Sequence, residues 1–263
     1  MEQKNRELLV QGAKELGVLL DETKIELIDR YLTLIRKWAK HVNLTGLREE
    51  RDQVIKLIMD SLAIVPALET SHRVPLPGDG RLAPLETSPT YRDCASGIVV
   101  STDPGFIPAT SNLKPQASIR ALDLGSGAGI PGIPVKIALP GIKMALAEPR
   151  QKRVIFLREA IRELGLSGIE VFPGRAEEIE GREFDYVLTK AFGDLAEIAG
   201  LSHALLGPGG IVIAMKGPDP APELEKARSK IEKTGFRVKD IKYYQLPDDS
   251  GKRSLILLEK SPT

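Results

Sequence analysis

The stretch LDLGSGAGIPG, residues 122–132, decides how the rest of the chain is interpreted. An apolar run ends in Asp123, and glycines follow at positions 125, 127, 129 and 132. A strand that ends at an acid and turns through glycines into a helix is how open α/β sheets hold a nucleotide-like ligand. Glycine permits the tight turn and lets backbone N–H groups come close to the ligand. The stretch therefore predicts a ligand-binding loop between a strand and a helix.

Two cofactor classes fit this loop. From Gly127 it reads GAGIPG, which matches the dinucleotide pattern and indicates an NAD(P)-dependent oxidoreductase. From Asp123 it reads DLGSGAG, which resembles the first motif of S-adenosylmethionine-dependent methyltransferases. Proline suits the first turn of a helix, so Pro131 predicts a helix that begins near 130–132, after the closely spaced glycines. A dinucleotide site would begin its helix earlier, beneath the pyrophosphate. The loop therefore favours S-adenosylmethionine, with the oxidoreductase as the alternative.

The part of the chain that follows alternates between strands and helices, which is typical of a parallel sheet covered on both faces. We predict strands at 119–124, 143–148, 168–172, 184–189 and 210–216, then an antiparallel pair at 236–245 and 254–259. We predict helices near 131–138, 151–164, 176–179, 194–206 and 221–234. This pattern predicts an α/β fold with a seven-stranded Rossmann-like methyltransferase sheet.

The chain divides into three parts by composition. Residues 1–68 show helical periodicity and predict an N-terminal helical cap, with Thr23 and Glu26 as a capping box. Its third helix should have Pro66 near its end and carry on one face Val54, Leu57, Ile58, Ser61, Leu62 and Val65. Residues 69–117 are rich in Pro, Ser, Thr and Gly, with one predicted strand at 97–101, and suggest an insertion or linker. Residues 118–263 form the predicted methyltransferase domain.

Charge and composition exclude several classes of protein. The net charge is +1, so a surface that binds nucleic acid has to be local. A single cysteine, Cys94, excludes an internal disulfide framework, and the three histidines lie far apart in sequence, which argues against a histidine metal cluster. No apolar run is long enough to span a bilayer, and the N-terminus lacks the apolar core of a signal peptide. We expect a cytoplasmic protein that requires no metal.

Four further residues predict parts of a cofactor site. Glu148 ends the second strand, 25 residues after Asp123, where an acid can accept hydrogen bonds from ribose hydroxyls. Ala176 and Glu177 follow the third strand, where a methyltransferase would frame its adenine. Lys190 ends the fourth strand and is suited to a cofactor carboxylate or an RNA phosphate. The chain has no Asn-Pro-Pro-Tyr motif and no Pro-Cys pair, which argues against methylation of an exocyclic amine or of carbon five.

The chain resembles the glucose-inhibited division protein B family, the small-subunit (16S) ribosomal RNA guanine-N7 methyltransferases. The stretches that carry the resemblance are KWAKHVNLTGL (37–47), MDSL (59–62), LDLGSGAGIPGIP (122–134), QKRVIFL (151–157), GRAEE (174–178), FDYVLTKAF (184–192) and MKG (215–217). The resemblance implies transfer of a methyl group from S-adenosylmethionine to 16S ribosomal RNA or the small ribosomal subunit, without a catalytic general base. A monomer is the default expectation.

The resemblance and the loop together give the candidate site residues. The expected cofactor-binding residues are Gly125, Gly127, Gly129, Ile130, Glu148, Ala176, Glu177 and Lys190. Local clusters of basic residues predict an RNA-facing rim around the cofactor, with candidates Lys37, Lys40, Arg153 and Arg253. The resemblance implies two more basic residues that face cofactor or RNA, Arg175 and Lys216.

The chain also departs from the family at several positions. Ala128 stands in place of a proline, Ala39 in place of an asparagine, Leu57 in place of a histidine, and Lys190 in place of an arginine. About 50 residues, 69–117, stand where the family usually has a short connection. These departures leave open a second alternative, a catalytically weakened relative that binds RNA.

Overall fold

The computed structural model describes residues 1–70, 119–247 and 250–261. A seven-stranded sheet with the order β3-β2-β1-β4-β5-β7-β6 forms its centre. The strands are β1 (Arg120–Leu124), β2 (Lys143–Ala147), β3 (Ile169–Phe172), β4 (Phe184–Lys190), β5 (Leu206–Lys216), β6 (Phe236–Gln245) and β7 (Lys252–Lys260). The first five pair in parallel, and β7 lies antiparallel between β5 and β6. The predicted seven-stranded α/β fold is confirmed.

Helices cover both faces of this sheet, and alternate strand residues supply the two apolar cores. Ala121 of β1 faces the core that includes α6 (Gly132–Ala138) and α7 (Gln151–Leu164). Leu122 faces the opposite core, which includes α8 (Leu195–His203) and α9 (Ala221–Lys233). The period-two alternation of a strand explains why neighbouring residues serve different cores.

The N-terminal helices pack on the face that carries α6 and α7. They are α1 (Gln3–Glu15), α2 (Glu22–Trp38), α3 (Glu50–Gln53), a π-helix (Val54–Met59), α4 (Asp60–Leu62) and α5 (Val65–Thr70). The described residues 1–70, 119–247 and 250–261 belong to one compact unit. The predicted strand at 97–101 and nearly all of the predicted insertion lie outside the described residues, and the three-part division of the chain stays a prediction.

Two local predictions for the N-terminal helices are wrong. Asp21, and not Thr23, caps α2, because its side chain accepts a hydrogen bond from the Lys24 N–H at 2.8 Å. The predicted third helix is interrupted by the π-helix and by a break before α5, so Pro66 lies in the first turn of a helix and not near an end. The N–H groups of a first turn have no acceptor within the helix, so a proline there, which lacks an N–H, breaks no helical hydrogen bond.

The helix after the glycine loop begins where Pro131 predicts. Pro131 precedes Gly132, the first residue of α6. A Cβ atom at Gly132 would lie 2.4 Å from Leu146 Cδ2 and 2.8 Å from Asp123 Oδ2, so only glycine fits between the two strands' side chains.

The fifth strand starts earlier than expected, because residues 206–209 already belong to β5. No helix within the described ranges is long and apolar enough to cross a membrane.

Candidate functional site

A cleft lies at the carboxyl ends of β1 to β4. Its walls come from the segments that follow these strands and from α8, and its lining residues are Leu124, Gly125, Ala147, Pro149, Gly174, Arg175, Ala176, Glu177, Phe192, Glu197 and Leu201. Ligands of open α/β sheets bind at this end of the strands. The structure therefore brings four of the predicted site residues together, namely Gly125, Arg175, Ala176 and Glu177.

The glycines of the loop serve different purposes. Gly125 has a φ of 74°, and a Cβ there would lie 2.6 Å from Phe192 Cδ2 on the cleft wall. Gly129 has a φ of 88°, and a Cβ there would lie 2.5 Å from Ile133 Cδ1. Gly125 thus borders the cleft, whereas Gly129 allows the loop to pack against α6. Ile130 is 9% exposed and belongs to the apolar core. Gly129 and Ile130 therefore support the loop from the side of the core.

Hydrogen bonds from two directions fix the loop. The N–H groups of Gly125 and Ser126 both donate to the Ala147 carbonyl at 3.0 Å. On the other side, the fully buried Tyr31 of α2 donates its hydroxyl to the Ala128 carbonyl. Burial raises the pKa of Tyr31 well above its usual range, so the hydroxyl keeps the proton it donates. An N-terminal helix therefore holds the loop at Ala128, the position where the resemblance implies a proline.

Glu148 supplies a buried carboxylate next to the cleft. It is 2% exposed, and its Oε2 accepts the Gly127 N–H at 2.9 Å while its Oε1 accepts the Arg150 N–H at 2.9 Å. Arg153 Nη1 lies 3.7 Å from Oε2, and the same guanidinium donates to the Asn43 carbonyl at 3.0 and 3.2 Å. Each carboxylate oxygen can accept more than one hydrogen bond, so Glu148 retains acceptor capacity for hydroxyl donors.

Asp123 lies beneath the loop and is completely buried. Its Oδ2 accepts the Gly132 N–H at 2.9 Å, and its Oδ1 has no hydrogen-bond partner among the described residues. Burial raises the pKa of Asp123 to about 7, although the hydrogen bonds from Gly132 and Ser126 oppose the shift. The first acid of the motif is thus a carboxyl group that changes charge near neutral pH.

Lys190 is paired with a carboxylate that the sequence analysis did not single out. Its ammonium lies 2.8 Å from Asp60 Oδ2 and also donates to the Lys56 carbonyl. Tyr244 of β6 donates its hydroxyl to Asp60 Oδ1 at 2.5 Å. Asp60, Tyr244 and Tyr31 come from elements far from the glycine loop in sequence. The MDSL stretch that carries Asp60 was the one available signal for this cluster.

The predicted RNA-facing residues fall into two groups. Lys37, Lys40 and Arg175 are exposed. Lys40 also lines a depression together with Arg36, Ala39, Thr45, Gly46, Leu47, Arg48 and Gln53. The side chains of the second group bond to protein atoms. Arg153 is bound to Asn43, Lys216 lies 2.7 Å from Glu223 Oε1, and Arg253 Nη1 donates to the Lys252 carbonyl at 2.9 Å.

Two family departures lie away from the cleft. Leu57 is 9% exposed and packs in the apolar core, where a histidine would need a hydrogen-bond partner. Ala39 is exposed and lies on the rim of the depression that contains Lys40. Neither residue is among those that line the cleft.

Comparison with known proteins decides the family. The family model described as rRNA small subunit methyltransferase G matches residues 107–255, more than half of the chain. The chain belongs to the rRNA small subunit methyltransferase G family. Membership confirms the resemblance drawn from the sequence, the methyltransferase activity and the S-adenosylmethionine cofactor, and it removes the oxidoreductase alternative.

Relatives in the rRNA small subunit methyltransferase G family match the chain over almost its whole length. The protein of Carboxydothermus hydrogenoformans is 31% identical over 94% of this chain and 87% of its own. That of Burkholderia thailandensis is 33% identical over 96% of this chain and 90% of its own. That of Geobacter sp. strain M21 is 29% identical over 99% of this chain and 100% of its own. All three are named ribosomal RNA small subunit methyltransferase G.

Within the described residues, no group of three or more His, Cys, Asp or Glu side chains is arranged to hold a metal ion.

Proposed function

We propose that this protein transfers the methyl group of S-adenosylmethionine to N7 of a guanine in small-subunit (16S) ribosomal RNA. One observation carries the proposal. In a chain of this methyltransferase family, a single cleft at the carboxyl ends of β1 to β4 joins the glycine loop to the segment 174–177, with the Glu148 carboxylate beside it. Whether the substrate is free RNA or an assembled subunit is a question for the experiment below.

The residues that line the cleft and those next to it fit the parts of the cofactor. Glu148 would accept the ribose hydroxyls, because its carboxylate is held in place by two backbone N–H groups and keeps free lone pairs. Ala176 and Glu177 would frame the adenine at the end of the cleft that follows β3. Gly125 and Gly127 would lie against the amino-acid part, with Lys190 near its carboxylate. The remaining predicted cofactor residues, Gly129 and Ile130, would support the loop without touching the ligand.

We propose that RNA contacts the exposed cations. Lys37, Lys40 and Arg175 are the candidates that remain accessible, and Arg48 joins them because it lines the same depression as Lys40. Neutralising phosphates releases counterions, so such a surface makes binding depend on salt. Arg153 and Lys216 are better described as structural, because their side chains are bonded to Asn43 and Glu223. A cytoplasmic location and action as a monomer stay predictions.

Methyl transfer to guanine N7 requires the protein mainly to position the two reactants. The sulfonium of the cofactor supplies an activated methyl group. Guanine N7 carries a lone pair in the ring plane at neutral pH, so it does not have to lose a proton before it attacks. A general base is therefore unnecessary, and the contribution of the chain is to align the two reactants. Well-oriented reactions can gain roughly 7–11 kcal/mol from such alignment.

The test is transfer of tritium-labelled methyl groups to unmethylated small subunits and to their naked RNA. The proposal predicts label in the RNA fraction, and the better substrate of the two identifies the assembly state that is recognised. Label on protein or on a small molecule would contradict the proposal. Binding of S-adenosylhomocysteine without any transfer would instead favour the catalytically weakened relative.

A further inference from the structure

Three elements that are distant in sequence meet at Asp60. The residue belongs to α4 of the N-terminal region and is 5% exposed. Its Oδ2 lies 2.8 Å from the Lys190 ammonium at the end of β4, and its Oδ1 accepts the Tyr244 hydroxyl of β6 at 2.5 Å. Both carboxylate oxygens of Asp60 are therefore engaged, each by a different strand of the sheet.

This arrangement fixes a side chain that is otherwise flexible. A lysine carries its point charge on a mobile four-carbon stem, so its ammonium occupies one position only when other groups hold it. Asp60 and the Lys56 carbonyl hold the Lys190 ammonium from the side of the N-terminal region. An ammonium has three N–H donors, and these two acceptors use two of them. The Lys190 side chain is 20% exposed, and within the described residues the third donor has no protein acceptor.

Lys190 lies at the same edge of the sheet as the glycine loop. It is the last residue of β4, which pairs in parallel with β1, so its ammonium lies at the same edge of the sheet as the loop. Burial raises the pKa of the Asp123 carboxyl group below the loop, and the positive charge of Lys190 opposes that rise. Phe192, two residues further on, forms the cleft wall against Gly125.

We infer that Asp60 and Tyr244 are positioning residues, which hold the Lys190 ammonium so that its third N–H meets the carboxylate of the amino-acid part of S-adenosylmethionine. Neither residue touches the cofactor. Asp60 fixes the ammonium, and the Tyr244 hydroxyl fixes the Asp60 carboxylate. The inference rests on the proposed function, since it concerns the same cofactor site.

The test compares two ligands that differ at the amino-acid part. S-adenosylhomocysteine carries the carboxylate, and 5′-methylthioadenosine keeps the adenosine and lacks it. Calorimetry on D60N should show about tenfold weaker binding of S-adenosylhomocysteine, since a charge-assisted hydrogen bond is no longer well placed, and less than about twofold change for 5′-methylthioadenosine. Y244F should show the same selectivity with a smaller loss. K190M should lose the contact entirely, so D60N should add nothing to it in the double variant.

Matched controls separate positioning from general damage. Tyr243, the neighbour of Tyr244 in β6, is 62% exposed, so Y243F should leave both affinities unchanged. Glu259 pairs with Lys239 at 2.6 Å toward the other end of β6, and E259Q should do the same. Equal weakening of both ligands in D60N and Y244F, or additive losses in the double variant, would overturn the inference.

Further outcomes keep this inference and the proposed function apart. Wild-type protein that binds neither ligand would overturn the proposed function. Wild-type protein that binds both ligands, with affinities that D60N leaves unaltered, would overturn only the positioning role. If D60N does not fold, Y244F carries the test, because it removes a single hydroxyl group.

Discussion

The buried Asp123 carboxyl group gives the protein a pH-dependent stability that a single substitution should remove. Asp123 is 0% exposed, and burial raises its pKa from the ordinary value of 3.8 to about 7. Asp123→Asn keeps the shape and an oxygen that can accept the Gly132 N–H, and it abolishes the titration. Any constant cost of the asparagine affects all pH values equally. The difference between the two proteins therefore isolates the effect of the charge.

The sign and size follow from proton linkage. Between the unfolded pKa and the folded pKa, the folded protein binds more protons at Asp123 than the unfolded chain does. The free energy of unfolding therefore falls as pH rises through this window, and the fall ends above about pH 7. From pH 5 to pH 8 this one group should lower the free energy of unfolding of the wild type by about 2–3 kcal/mol, since each pKa unit corresponds to about 1.36 kcal/mol.

Urea unfolding at pH 5, 6.5 and 8 measures the effect. The stability of the wild type relative to D123N should fall by about 2–3 kcal/mol between pH 5 and pH 8. Asp185 offers a matched control, because its carboxylate also accepts a backbone N–H, from Arg120 at 2.7 Å, but is exposed. D185N should follow the wild-type pH profile. A constant difference between wild type and D123N across the three pH values would refute the reasoning.

Three further predictions concern the cleft and its surroundings. Glu148→Gln should weaken S-adenosylhomocysteine binding at least about tenfold in calorimetry, because charge-assisted hydrogen bonds are roughly twice as strong as neutral ones; an unchanged affinity would contradict the ribose role. Tyr31→Phe should lower the free energy of unfolding by about 1–3 kcal/mol, because the Ala128 carbonyl loses its buried donor; an unaltered urea midpoint would contradict this. Lys40→Glu should raise the KM for RNA and reduce by about one the slope of log affinity against log salt concentration. Lys216→Met should lower the unfolding temperature and leave that slope unchanged. The reverse pattern would exchange the roles of the two residues.

The sheet and the loop could be predicted because local pattern determines them. A strand in this fold is a short apolar run between turn residues, and all seven predicted strands overlap those observed. Pro131 located the start of α6, since proline is tolerated in a first turn and not in a helix interior. The assembly of Gly125, Ala176 and Glu177 at one cleft follows from the parallel order of the strands, whose carboxyl ends share one edge.

The partners of the charged residues could not be predicted in the same way. Lys190 and Arg153 read as free cations in the sequence, but each meets a group far away in the chain. Lys216 also reads as free, and its partner Glu223 is closer in sequence but lies in the first turn of the next helix, α9. Asp60 is 130 residues before Lys190, and only the packing of the N-terminal helices on the sheet brings them together.

Two other differences between expectation and structure have local causes. Asp21 and Thr23 are both good helix caps, and the extended backbone at Asp21 selects it. Gly129 looks like a ligand-facing glycine, yet its missing side chain makes room for Ile133.

The central claim is that the cleft delivers a methyl group to guanine N7. It is tested most directly by mass spectrometry of nucleosides from unmethylated small-subunit RNA after incubation with S-adenosylmethionine and either wild-type protein or E148Q. The account predicts 7-methylguanosine with the wild type and strongly reduced 7-methylguanosine with E148Q, at the same protein concentration. A different methylated nucleoside, or equal amounts of 7-methylguanosine from both proteins, would contradict it.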